Sequence, residues 1–77
     1  MTAPRARARR LLAAALAIDP AQLADDAAIG WTEEWDSLAH MRLVAAIEAE
    51  LGRHISAEAI VSLASLADVE RALAQAP

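Results

Sequence analysis

At 77 residues the chain has room for one small domain, 1–77, and none for a deep active site. Apolar residues make up 57%, but 22 positions are alanine, so a core must be assembled from a limited set of Leu, Ile, Val, Met and Trp, and with no cysteine neither a disulfide nor a thiolate zinc site can brace it. The net charge of −4 is uneven: Arg5, Arg7, Arg9 and Arg10 give residues 1–10 a charge of +4, while three arginines against eleven acids leave the remainder at −8, which argues against nucleic acid and for partners with a basic docking surface.

Strong helix formers dominate and no run alternates apolar with polar over strand length, so the expected class is all-α. The first helix is expected from about Pro4 to Ala17, with Thr2 or Ala3 near its cap, Leu12 and Leu16 on its inner face, and Asp19-Pro20 as its stop. Its basic-then-apolar order is that of a targeting segment, but losing it would strip a small bundle of a long helix. No stretch approaches the roughly 18 apolar residues of a membrane span, and the expectation is a cytoplasmic monomer without membrane contact.

Residues 21–36, AQLADDAAIGWTEEWD, form a long acidic connection, which Leu23, Ile29, Trp31 and Trp35 are expected to anchor onto the core. A second helix follows Asp36, whose carboxylate can accept from the free first-turn amides, and runs to Leu51 with Gly52 as a left-handed cap. A short third helix is expected over Ala57 to Val61. The fourth opens with Ser65-Leu-Ala-Asp68, a capping box with Asp for the usual Glu, and ends near Gln75. These make a small antiparallel four-helix bundle of three longer helices and one short third helix, with no repeat, linker or low-complexity region.

At about 100° per residue, the second helix has two apolar faces. Leu43, Val44, Ile47 and Leu51 share one side with His40. Leu38, Met41 and Ala45 lie nearly opposite, with Glu48 continuing the row and Arg42 at its edge. A helix covered on both sides would explain this, but so would an exposed ridge rimmed by charge, suited to transient docking. Ser37 stands at the end of that ridge, exposed at the positive tip of the helix dipole, where free amides favour a phosphate.

Taken together, WDSLAHMRLVAAIEAELG, the Ile and short helix after it, and SLADVERAL resemble an acyl carrier protein or peptidyl carrier protein over nearly the whole chain. The resemblance implies that Ser37 bears 4′-phosphopantetheine, transferred from coenzyme A by a phosphopantetheinyl transferase, and that the cofactor's thiol holds an acyl or aminoacyl group as a thioester. It also implies that Asp36 and Leu38 belong to the motif the transferase reads. Leu38, Met41, Arg42, Ala45 and Glu48 then fall on the face gripped by partners, namely an acyl- or aminoacyl-loading enzyme and downstream synthases, transferases or modifying enzymes. Ala39 and Arg42 stand where the fatty-acid-synthase type is commonly acidic, and Trp35 replaces a small residue. A free-standing carrier for polyketide, nonribosomal peptide or related biosynthesis is therefore expected, itself no enzyme.

Other chemistries fit less well. Asp36, Ser37 and His40 form no hydrolase triad, because the wheel turns His40 toward the core and nothing supplies an oxyanion hole. The expected place of His40 is packed or capping, bonded to the loop. His40 and His54 lack metal-ligand spacing, so no metal is expected, and Asp25, Asp26, Glu33 and Glu34 read as a solvated acidic loop. The arginines lack interleaved aromatics and read as solvated helix surface attracted to the acidic body. The rival reading is a helical interaction module without prosthetic group, binding a partner through the Leu38/Met41/Ala45 ridge.

Overall fold

The computed structural model describes residues 4–74; the expected cap at Thr2 or Ala3 and the expected end near Gln75 lie outside them. Four helices follow in order, α1 over Pro4–Leu16, α2 over Ser37–Leu51, α3 over Ala57–Ser62 and α4 over Leu66–Ala74, with a 3₁₀ turn at Pro20–Gln22. Among the described residues there is no strand beyond one isolated bridge. The chain is thus the all-α bundle its composition implied.

Helix α1 packs against both α2 and α4, which also touch each other. Leu12, Leu43, Ile47, Leu66 and Val69 are the largest fully buried side chains, so α1, α2 and α4 all feed one core. Ala8, Ala13 and Ala15 of α1 are buried with them, which puts alanine to work as core filler between helices.

The stop of α1 differs from expectation. Ile18 N donates to Ala13 O at 3.0 Å and Ala17 N to Ala14 O at 3.2 Å, the paired bonds of a Schellman motif, closed before Asp19-Pro20 is reached. Ala17 is the left-handed residue at φ 59°, in a place that usually takes glycine. Asp19 instead caps the 3₁₀ turn, accepting from Ala21 N at 2.9 Å.

The long connection is held by more than its apolar anchors. Leu23, Ala27 and Trp35 are buried, as a loop of this length requires. Trp31 is not an anchor: it is 89% exposed, and Ile29 is 42% exposed. What holds that stretch is backbone. Ile29 N donates to Ala64 O at 2.8 Å and Leu66 N to Ala27 O at 3.0 Å, joining the loop to the start of α4 through the bridge between Ala28 and Ser65.

Three of the α1 arginines complete the clamp, which corrects their reading as solvated surface. Arg9 pairs with Asp25 and donates to the carbonyls of Pro20 and Leu23. Arg5 donates to Asp25 O at 3.0 Å and pairs with Glu70 of α4 at 3.2 Å, while Arg7 pairs with Glu50 of α2 at 2.9 Å. The attraction to the acidic body resolves into specific contacts. Arginine suits them because its fork serves several oxygens at once.

The third helix extends one residue past the expected Val61, to Ser62, and Ser56 Oγ caps it by accepting from Ala59 N at 3.1 Å. At α4, Ser65 Oγ accepts from Asp68 N at 3.1 Å as a capping box requires, but Asp68 reaches back to Ala64 N rather than to the serine's own amide. Asp68 pairs with Arg71 as well.

Two stability outcomes are expected. Leu43→Ala or Ile47→Ala, each at a fully buried site, lowers unfolding free energy by about 2 to 5 kcal/mol in urea titration through loss of contacts and the cavity left behind. Ala17→Gly raises it by up to about 1 kcal/mol, because glycine adopts the left-handed conformation without the Cβ penalty.

Candidate functional site

The start of α2 turns one residue in and the next ones out. Trp35 is 3% exposed and sits in the core. Asp36 is extended, at φ −96° and ψ −174°, and its Oδ1 accepts from Ala39 N at 2.8 Å. Ser37 follows as the first helical residue and is exposed. Of the four first-turn amides that lack an internal acceptor, the Asp36 cap occupies one, so unclaimed N–H groups point out beside the serine hydroxyl.

The other serines are otherwise engaged. Ser56 Oγ and Ser65 Oγ cap α3 and α4, and Ser62 Oγ donates to Glu58 O at 2.8 Å. Ser37 is the exposed serine whose hydroxyl no hydrogen bond occupies among the described residues. An attached phosphate fits here: the Ser37 oxygen becomes its ester link, first-turn amides are the donors, and the position is exposed.

Both faces of α2 are where the wheel placed them. Ala39, Leu43, Val44 and Ile47 are buried and Leu51 is half-buried. Leu38 is 59% and Met41 64% exposed, and Arg42 and Ala45 are exposed with them. The ridge therefore lies uncovered. Sequence reasoning missed Val61 of α3, 81% exposed, whose neighbour Ile60 touches His40 on α2. Its signal was present in a β-branched residue at the end of a helix too short to bury two faces.

His40 is half-buried and bonded to the loop, as the sequence suggested. Trp35 Nε1 donates to His40 Nδ1 at 3.1 Å, with ring centroids 6.2 Å apart and planes inclined by 27°. An indole nitrogen can only donate, so Nδ1 carries the lone pair and the imidazole proton resides on Nε2. That nitrogen is 2.9 Å from Ile60 O and donates to it.

Glu48 has a structural task that the sequence did not reveal. Its Oε2 accepts from Ile55 N at 2.9 Å and lies 3.3 Å from His54 Nδ1, and the residue is half-buried rather than a fully open member of the ridge. The Ile55 amide, with help from His54, holds the carboxyl below its ordinary value near 4.5 against the opposing pull of desolvation. Among the described residues no three His, Cys, Asp or Glu side chains gather as metal ligands, and no helix is long and apolar enough to cross a membrane.

The tie between Glu48 and Ile55 is pH-dependent in a defined direction. A carboxyl depressed by folding contributes its stability above the ordinary value near 4.5 and loses it as pH falls through the lowered one. In an NMR acid titration the Ile55 amide is expected to lose protection below about pH 4.5. Glu48→Gln, which keeps an acceptor oxygen but no titrating group, is expected to remove that transition, and a flat response in the unmodified chain would refute the assignment.

No curated protein matches the chain. A family model described as the phosphopantetheine attachment site matches residues 6–73, from the first turns of α1 almost to the end of α4. With its four helices and an open serine at the head of the second, the chain belongs to this phosphopantetheine-binding family of acyl and peptidyl carrier proteins, whose members bear 4′-phosphopantetheine covalently.

Proposed function

We propose that Ser37 is the attachment point for 4′-phosphopantetheine and that the chain carries acyl or aminoacyl intermediates in a specialised pathway, of polyketide, nonribosomal peptide or related type. The observation that carries this reading is the exposed Ser37 hydroxyl directly after the Asp36 cap, at a helix start with outward amides. When bound, the group supplies a thiol that holds its cargo as a thioester.

The chain's own residues present, orient and release. Asp36 fixes the first turn of α2, so the Ser37 hydroxyl is offered to a phosphopantetheinyl transferase on a rigid element rather than on a mobile loop. Leu38, Met41 and Ala45 supply apolar contact to loading enzymes and to downstream synthases, transferases or modifying enzymes, with Arg42 at their edge and Glu48 as a fixed negative charge. Asp26, Glu33 and Glu34 on the preceding loop are exposed and steer basic partners into encounter. A small ridge is an advantage. A carrier gripped tightly by one enzyme could not move to the next, so modest buried area keeps dissociation fast.

Buried Ala39 and exposed Arg42 support a specialised pathway. Ala39 is 3% exposed, where a carboxylate would be desolvated, and Arg42 puts a positive charge on the open face.

Intact-mass measurement after incubation with coenzyme A and a broad-specificity transferase tests the assignment. The unmodified chain is expected to gain one phosphopantetheine and Ser37→Ala none, with the thermal unfolding curve unchanged. A mass gain in Ser37→Ala, or none in the parent, overturns it. Loading assays with purified acyl and aminoacyl ligases then identify the cargo class.

A further inference from the structure

Helix α3 has little to hold itself with. Its six residues are far fewer than the roughly 12 to 15 that make an isolated helix marginally stable in water. None of them is buried, and Ile60 meets the core only from a half-buried position. Two side chains of α2 make up the deficit. Glu48 holds the segment before α3 through Ile55 N, and His40, about two turns away along α2, holds the far end through Ile60 O.

The carbonyl of Ile60 lies in the last turn of α3, where helix carbonyls lack internal N–H donors; it otherwise accepts only from Leu63 N, at 3.3 Å. His40 can serve it only while the ring proton is on Nε2. Trp35, buried just before the Asp36 cap, enforces that arrangement by donating to Nδ1. The chain of bonds thus runs from the loop that precedes Ser37, through a residue on α2, to the backbone of α3.

We infer that His40 is a positioning residue for enzyme docking at Ser37: locked by Trp35 as the Nε2–H tautomer, it holds α3 by the Ile60 carbonyl and so fixes where exposed Val61 stands relative to exposed Leu38 and Met41. The docking half of this inference rests on the carrier reading given above. The tie itself rests on the hydrogen bonds alone. Val61 and Met41 each adjoin one partner of the His40–Ile60 bond, so the bond fixes how two exposed apolar side chains on different helices are spaced. A partner that grips both feels any movement of α3 as lost complementarity.

Amide substitutes separate the two ring nitrogens. Glutamine places an amide nitrogen near the Nε2 position and can donate to Ile60 O, whereas asparagine places its polar atoms near Nδ1 and falls short of Ile60. NMR of the parent chain is expected to show a pyrrole-type Nε2 and a pyridine-type Nδ1 for His40. Hydrogen exchange of amides from Ile60 to Leu63 is expected to quicken about fivefold in His40→Ala and His40→Asn, the size of one net hydrogen bond, and to return toward the parent rate in His40→Gln. In transferase assays KM for the carrier is expected to rise several-fold in the first two variants, with kcat nearly unchanged, and to recover in the third. Equal behaviour of the Gln and Asn variants, quickened exchange spread over all helices, or unchanged KM overturns the inference. A parent chain that accepts no phosphopantetheine overturns the carrier reading and the docking half with it, while the exchange pattern still judges the tie between His40 and α3.

Discussion

A buried indole and an exposed hydroxyl two residues apart set the geometry on which everything else depends. Trp35 enters the core, its N–H taken by His40, and Asp36 reverses the chain by capping α2. Ser37 is thereby forced out to the surface at the head of a rigid helix. Burial of a large aromatic is worth more than any single polar contact nearby, so the register of α2 follows from the tryptophan. Phosphate-friendly amides and an open hydroxyl are consequences of that register.

The loop leading to this point would be a weakness without outside help. The twenty residues 17–36 between α1 and α2 cannot order themselves, and the apolar side chains available to anchor them are few. The chain solves this with arginines from α1, which reach over to loop carbonyls and to Asp25, and with a scrap of backbone pairing to the start of α4. The uneven charge along the sequence has a physical role. A basic first helix and an acidic remainder attract each other within one small domain, and three of the four arginines spend their charge internally, leaving the acids near Ser37 to dominate the field there.

Helix α2 serves as scaffold and as display surface. Its inner face supplies Leu43, Val44 and Ile47 to the core, and its outer face leaves Leu38 and Met41 open. The polar residues between the two faces are not idle. His40 and Glu48, lying at the boundary, both reach across to the segment holding α3. Exposed apolar area of this kind is tolerable because charged residues such as Arg42 and Glu48 border it.

Much of this was legible in the residues. Helix formers and Gly52 marked the elements, the 3.6-residue period marked two faces on α2, and Asp36-Ser37-Leu38 marked an exposed serine at a capped helix start, because each of these depends on neighbours within a turn or two. The stop of α1 and the bond from Asp68 to Ala64 N differed within a turn or so, but the other places where the sequence misled depend on contacts between separate elements. Trp31 has the composition of an anchor but lies exposed, since the backbone pairing of residues 27–29 with 64–66 had already tied that stretch down. Arg5, Arg7 and Arg9 resembled solvated surface until folding brought acids and carbonyls from the loop, α2 and α4 within reach. His40 and Glu48 find their partners at Ile60 and Ile55, on α3 and on the segment before it, only in the folded chain. Local pattern therefore determined the helices and the exposed serine, and tertiary contact alone decided which polar side chains hold the short helix beside it, because a hydrogen bond has no signature in sequence until both of its ends are in place.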